Sequence, residues 1–591
     1  MNEERITYFA QTDARNKKVN FGIKAKDRTK HVYVIGKTGM GKSTLLENMA
    51  VQDIKNGEGI AFIDPHGKTA ELLLEYVPEH RMKDVVYFAP FDTEFPISFN
   101  VLESVDPDKR HLVVSGLMST FKKIWQDAWS ARMEYILTNT LLALLEYPDA
   151  TLLGVNRMLS DKAFRNQVIS YVTDPSVKTF WVQEFANYTE RMAAEAVPAI
   201  QNKIGQFTAN ALIRNMIGQP KSSFDIRKMM DTGKIFIVNL SKGRIGESNA
   251  NLLGGMIITK IYLAALSRAD VPDKVLKTLP NFYLFVDEFQ SFANESFADI
   301  LSEARKYKLN LTMAHQYIEQ MEEEVRAAVF GNVGTMIVFR VGAFDAEVLE
   351  KEFAPTFTAE DIVNLGIFQI YLKLMIDGIS SAPFSATTLP PIEKPENSSM
   401  REVIEMSRKQ FANRRLDIEN KIAEWHLPIK PPIKAKDNKE TVQVNNPVKV
   451  NTPMPTTPTI PVKPVQIPEI KKVEIPKASL VVEQKEKPII PSVPNPISHP
   501  VSIPTVQPII KPEHKPVSLS SLSPRNNQKD ITAKRANELK DALASVLKGH
   551  NKVEEKVEKK IEENKTEKII KKEPHSKEIP EDVLRDVLKV E

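Results

Sequence analysis

Nine residues near the amino terminus, GKTGMGKST at 36–44, constrain this chain more than any other feature. They fit the pattern G-x-x-x-x-G-K-[ST]. Gly36, Gly39 and Gly41 let consecutive backbone N–H groups turn inward around a triphosphate, with Thr38 and Thr44 inside the same loop. Lys42 is placed to reach the β and γ phosphates, and the Ser43 hydroxyl to coordinate Mg²⁺. A buried-strand run, HVYVI, precedes the loop. A helical pattern over about 43–56 follows it and points its positive end at the phosphates. Strand, loop, helix is the order that this chemistry requires.

A second motif, FYLFVDEFQ at 282–290, is an apolar strand ending in two carboxylates. Asp287 suits support of the metal, and Glu288 suits polarising an attacking water. No NKxD stretch for guanine occurs, which favours ATP over GTP. A strand near 60–63 ends in DPHG, so Asp64 and His66 lie at the carboxyl edge of the sheet, where open α/β sheets bind ligands. His66 reads equally well as a turn residue bonded to local backbone. The strand LNLTMA at 309–314 leads into His315 and Gln316. Gln316 either reads the γ-phosphate or caps the strand. VVYFAP, KIFIVNL, TMIVFRV and FQIYLKLMI are further strands. Strands alternating with helical patterns predict an α/β fold with a mainly parallel, doubly wound sheet.

Lys42 and Asp287 lie far apart in sequence for a minimal phosphate-loop domain. Residues 107–222 fill much of that gap with helical periodicity, as in DKRHLVVSGLMSTFKKIW, ARMEYILTNTLLALLEY and ERMAAEAVPAIQNKIGQFTANALIRNM. This predicts an all-α domain inserted between the two parts of the nucleotide-binding domain, 1–106 and 223–395. A helical extension follows over 396–427.

Composition changes abruptly at that point. All 44 aromatic residues lie at or before Trp425, and of 22 glycines only Gly549 lies beyond it. Residues 428–591 carry 23 of the 39 prolines. Such a segment cannot bury enough apolar surface to offset its ordering entropy, which predicts disorder. Prolines every third residue, as at Pro455, Pro458, Pro461 and Pro464, match polyproline II. That suits a spacer or a ligand for an aromatic-grooved module. Short helices are expected near 532–548, ahead of Gly549, and near 580–590, beginning at Pro580. The net charge of +4 divides into −4 for the first 427 residues and +8 for the tail. The ordered part therefore has no global basic surface, and an anionic partner would have to meet local loops such as SKGRIG, with Lys242 and Arg244.

The chain has no cysteine, which excludes a disulfide scaffold, Cys-ligated zinc, an iron–sulfur centre and a thiol nucleophile. Composition predicts no membrane-spanning helix, and the polar start MNEERITYFAQ no signal peptide. A cytoplasmic protein is expected, at the membrane only peripherally through partners.

Taken in order, HVYVIGKTGMGKST, FIDPHG, the helical insertion, IFIVNLSKGRIG, YLFVDEFQ, EARKYKLNLTMAHQ and the extension MREVIEMSRKQFANRRLDIENKIAEW resemble the conjugative coupling proteins of type IV secretion, the TraD/TraG-like branch of the HerA/FtsK superfamily. The resemblance spans about residues 22–425. It implies a RecA-like P-loop ATPase that forms a homo-hexameric ring and drives DNA, single- or double-stranded, through a central channel using ATP and Mg²⁺. It implies that Lys42 and Ser43 bind ATP–Mg²⁺, Asp287 supports the metal, Glu288 activates water and Gln316 senses the γ-phosphate. Arg305 matches the arginine finger inserted into a neighbouring subunit's site, with Arg340 as its rival. Secretion-channel or relaxosome-like proteins are the implied partners, and the tail's partner is unnamed. Two alternatives share these motifs: a HerA/FtsK-like double-stranded DNA pump, and an ATP-gated DNA tether whose tail recruits partners. The same motor acting on protein cargo stays open as well. Relatives often carry an acidic residue after DPHG, where this chain has Lys68.

Overall fold

Eleven strands form one sheet in the computed structural model, which describes residues 3–13, 17–103 and 105–428. In chain order the strands are β1 (Ile6–Gln11), β2 (Asn20–Lys24), β3 (Val32–Ile35), β4 (Gly59–Asp64), β5 (Val85–Phe88), β6 (Ile235–Asn239), β7 (Phe282–Val286), β8 (Leu309–His315), β9 (Thr335–Val338) and β10 (Gln369–Lys373). A small hairpin of β11 (Met375–Ile376) and β12 (Ile379–Ser380) precedes β13 (Phe384–Thr388). The sheet order is β2-β1-β13-β10-β9-β3-β8-β7-β4-β6-β5. From β9 to β5 all pairings are parallel. From β9 to β2 all are antiparallel. The predicted parallel sheet is present, extended on one side by an antiparallel edge.

Both faces of the parallel part are covered, so its strands read as unbroken apolar runs. Successive residues serve opposite faces. In β7, Phe282, Leu284 and Val286 enter one core, while Tyr283 and Phe285 enter the other. The helix Lys42–Lys55 covers the second face through Leu45, Leu46, Met49 and Ile54. The first face is covered by the helix Glu247–Leu266 and by the helical segment that precedes β6.

Between β5 and β6 the described residues contain helices and no strand. The named segments fold as Arg110–Ile124, Ala131–Glu146, Glu190–Ala209 and Ala211–Ile217. Leu153–Ser160, Lys162–Tyr171 and Pro175–Thr179 are helical as well. Arg110–Ile124 joins the sheet domain by a close crossing. A Cβ on Gly116 would lie 2.4 Å from Thr259 Cγ2, and one on Gly255 2.7 Å from Thr120 Cγ2. The two glycine–threonine pairs let the backbones approach more closely than larger side chains allow.

That partner helix bears on the expectation that no helix spans a membrane. Glu247–Asp270 is long and apolar enough, by length and composition, to cross a membrane, with a mean hydropathy of 1.4. Its most apolar window is 61% buried inside the protein, so packing explains its composition. The extension forms Met400–Phe411 and Arg415–Trp425. Ile418 and Ile422 of the latter pack on Leu153 of the helical segment. Chain contacts define two units, Met1–Asn445 and Asn446–Glu591. The second unit, and with it the expected helices near 532–548 and 580–590, lies outside the described residues.

Candidate functional site at the carboxyl edge of the sheet

Parallel pairing places the ends of β3, β4, β6, β7, β8 and β9 along one edge of the sheet, and the phosphate loop follows β3 there. The loop's helix begins at Lys42, one residue earlier than its sequence pattern suggests. Gly41 caps it at φ 116°, a left-handed conformation open to glycine. Lys42 is buried and folds back over the loop, its Nζ donating to the carbonyls of Gly36 at 2.6 Å and Lys37 at 3.1 Å. Burial pushes its pKa down, against the pull of Glu288 and Asp287.

The acidic pair follows β7, two strands away. Ser43 Oγ donates to Asp287 Oδ2 at 3.3 Å, so the loop hydroxyl and the strand-end carboxylate meet across 244 residues of sequence. Asp287 is buried, and its pKa is pushed up to about 6 by that burial, then by the charges of Glu288 and Asp64. Glu288 behaves in the opposite way. Burial alone would raise it, but bonds from His66, Gln290 and Gln316, with the charge of Lys42, hold it at about 2. Its backbone sits at φ 48°, which a non-glycine residue seldom adopts. Conformations of that kind persist where the surroundings over-determine them, as at functional sites.

Gln316 ties the two motifs together. Its Nε2 donates to Glu288 Oε1, and its Oε1 accepts from Thr38 Oγ1 at 2.9 Å. Both expectations for His66 hold in part. Its backbone N–H donates to Asp64 Oδ1 at 2.7 Å, which is the local turn, while its ring Nε2 lies 3.6 Å from Glu288 Oε1. Glu288 raises the pKa of that ring. Asp64 Oδ2 accepts from Ala70 N–H at 2.9 Å and so holds the next helix.

Arg305 lies elsewhere. It occupies the turn Ala304–Tyr307 ahead of β8, whereas Gln316 follows β8. The strand is 7 residues long, so the two ends are separated by about 20 Å at ~3.3 Å per residue. Arg305 is exposed at the amino edge, and the structure does not bring it to the loop of its own chain. Arg340 does flank the loop, its carbonyl accepting from Lys37 N–H at 2.8 Å. The loop SKGRIG holds a short helix, Lys242–Ile245, and its cations are engaged. Lys242 Nζ donates to Ser291 Oγ at 3.0 Å and Glu247 Oε1 at 3.2 Å, and Arg244 pairs with Glu71 at 3.4 Å.

Two contributors carry no individual signal in the sequence. Gln290 Nε2 donates to Glu288 Oε2 at 2.5 Å, and only its place at the end of the strand motif hints at it. His315 is buried, with Tyr33 Oη 3.0 Å from its Nδ1, and burial pushes its pKa down to about 3. Its Nε2 has no partner among the described residues.

A divalent cation fits the donor set. Ser43 and Asp287 supply only two protein oxygens, which suits Mg²⁺, an ion that keeps waters and takes its other ligands from substrate phosphates. Asp287 is pushed up because buried negative charge is in excess there, and a cation would relieve that excess.

A doubly wound sheet carrying a phosphate loop, with a strand-end acidic pair one hydroxyl away, defines a P-loop nucleoside-triphosphate-binding fold. A family model, the type IV secretion-system coupling protein DNA-binding domain, matches residues 18–366, more than half of the chain, and the protein belongs to that family. Similar solved structures include the bacterial conjugative coupling protein TrwBΔN70 in an unbound form, at 15% identity over 67% of this chain and 96% of that one, with a TM-score of 0.47. The plasmid coupling protein TrwB in complex with ADP and Mg²⁺ matches at 15% identity over 64% and 89%, TM-score 0.48. VirB4 of Thermoanaerobacter pseudethanolicus matches at 13% identity over 62% and 90%, TM-score 0.42. No curated protein sequence matches the chain.

Proposed function

We propose that this coupling-protein family member is an ATP-driven DNA translocase that hydrolyses ATP at the subunit interfaces of a homo-hexameric ring. The observation that carries this reading is the bridge Thr38–Gln316–Glu288, which joins the phosphate loop to the acidic pair through one amide. In this proposal the N–H groups of residues 36–44 cradle the triphosphate and Lys42 turns from the loop carbonyls to the β and γ phosphates. Ser43 and Asp287 hold Mg²⁺, which neutralises phosphate charge. Glu288 is ionised at neutral pH, because its neighbours hold it at about 2. It can therefore accept a hydrogen bond from a water and orient it toward the γ-phosphorus.

Both Glu288 oxygens are already engaged, by Gln316 and by Gln290. A carboxylate has about four lone-pair sites, so a water still binds Glu288 beside these two amides, and Gln316 senses the γ-phosphate through its bond to Thr38. Arg305 acts in a neighbouring chain's site. The helical segment 107–222 is an inserted domain that selects cargo. DNA is held by loops around the channel, with the tail adding weak attraction that salt screens.

Steady-state ATPase activity with and without single- or double-stranded DNA tests this. The expected result is DNA-stimulated turnover that vanishes in Lys42→Ala and Glu288→Gln, with Glu288→Gln still binding ATP. ATP binding without turnover in the unaltered protein would sink the motor and favour an ATP-gated tether.

A further inference from the structure

Phe368 stands on the rim of the phosphate loop. It lies just ahead of β10, whose antiparallel pairing with β9 brings its start to the carboxyl edge. Its backbone is pinned on both sides. The Phe368 N–H donates to Met40 O at 3.2 Å, and its carbonyl accepts from Thr388 N–H at 2.9 Å. The residue sits at φ 65°, a conformation that bulky side chains rarely adopt. Its ring presses on the loop: a Cβ at Gly41 would lie 2.8 Å from Phe368 Cδ1. Glycine at 41 leaves the space that this ring takes.

Core packing does not account for the arrangement. Phe368 remains 45% exposed, and Ile367 beside it 57%. An aromatic ring held in a rare conformation by two backbone bonds, yet open to solvent, is displayed rather than buried. It is displayed next to the residue that precedes Lys42 and Ser43. A nucleotide whose phosphates fill the loop carries its base out past this rim.

Resting on the nucleotide reading above, the geometry points to Phe368 as the platform on which the purine stacks. Stacking on one ring uses the π-face that every base has, so it adds affinity without choosing between bases. ATP and GTP should profit from it alike, and a triphosphate without a base not at all.

Equilibrium binding of ATP, GTP and inorganic tripolyphosphate to the full chain, in the presence of Mg²⁺, tests the assignment. Phe368→Ala should weaken ATP and GTP about tenfold each and leave tripolyphosphate unchanged, the scale expected of one lost base–aromatic stack. Phe368→Trp should restore both nucleotides. Unaltered tripolyphosphate affinity doubles as the check that the loop is folded. Equal losses for tripolyphosphate and ATP would show that the ring merely props the loop, and undiminished ATP affinity in Phe368→Ala would likewise overturn the platform. An unaltered protein that bound neither ATP nor tripolyphosphate would instead sink the nucleotide reading itself.

Discussion

The two edges of the parallel sheet treat charge in opposite ways. At the amino edge, Arg28 and Asp53 are both buried and paired at 2.8 Å, with the guanidinium 3.9 Å from the centre of the Tyr283 ring. Arg5 pairs with Glu58 at 2.6 Å beside them. His31, between Leu301 O and Leu311 N–H, is pushed down to about 4 by burial and kept neutral. At the carboxyl edge, Asp287 and Glu288 both act on one buried lysine, Lys42, and Asp287 is driven up to about 6 by burial and then by the charges of Glu288 and Asp64. Charge that serves the fold is matched within the chain. Charge left unmatched marks the place where a cationic or metal-bearing ligand completes the set. Arg305 breaks the pattern of the amino edge, because its exposed side chain has no hydrogen-bond or ion-pair partner among the described residues. In the proposed ring, this cation, about 20 Å from its own site, is the one that would act in another chain's site.

Breaking that contrast at Arg305 should have the largest effect. Arg305→Ala is expected to lower turnover by about 10³–10⁵, the range known for arginine fingers. ATP affinity of isolated subunits should not change. In mixtures with unaltered protein, specific activity should fall out of proportion to the variant's share. Should Arg340→Ala abolish turnover while Arg305→Ala leaves it intact, the finger belongs to the carboxyl edge and the contrast fails.

Next come two carboxylates whose removal should act with opposite sign. Asp53→Asn leaves the Arg28 charge buried and unpaired, which costs about 3–5 kcal/mol of stability. Asp287→Asn should stabilise the ligand-free protein at neutral pH, by about 3 kcal/mol. The sign follows from the raised value. Asp287 titrates at about 6 in the folded chain against 3.8 unfolded, so the native state binds the proton more tightly. Its contribution to stability therefore declines as pH rises from about 4 to 6. Asp287→Asn should remove that decline. Denaturation followed by tryptophan fluorescence at several pH values measures both variants, since all 4 tryptophans lie at or before Trp425. A destabilised Asp287→Asn at pH 7 would mean that the carboxyl edge is matched like the amino edge.

Much of the carboxyl edge was legible in the sequence because its motifs are contiguous. The run at 36–44 carries loop and helix start together, and the apolar run before Asp287 ends where the strand ends. The parallel strands were legible for the same reason, being unbroken apolar runs. β1, β2 and β13 were not, since ITYFAQ and FSATT meet across hundreds of residues of sequence and about half of the residues in these two strands are only partly buried, which blurs the apolar pattern. Gln290 and Phe368 were invisible on other grounds. One acts only because Glu288 adopts a left-handed backbone, and the other because β10 pairs antiparallel with β9. Neither circumstance leaves a local pattern.

The smallest effect should come from the hydroxyl that fixes Gln316. A terminal amide can present either its oxygen or its nitrogen to Glu288, and only the nitrogen is a donor. The acceptor-only carboxylate of Glu288 takes Nε2, and Thr38 Oγ1, donating to Gln316 Oε1 at 2.9 Å, holds the amide in that orientation. Thr38→Val keeps the shape of the loop and removes that donor. One exposed hydrogen bond is worth about 0.5–1.5 kcal/mol, which is a two- to tenfold loss in kcat. ATP affinity should be untouched, because the loop N–H groups and Lys42 remain. The matching change at the other edge is Lys306→Ala, which removes an exposed i,i+3 pair with Glu303 beside Arg305. It should alter neither turnover nor stability measurably. If the two variants proved equally silent, Gln316 would owe nothing to the phosphate loop, and the bridge between the two motifs would be a contact without consequence.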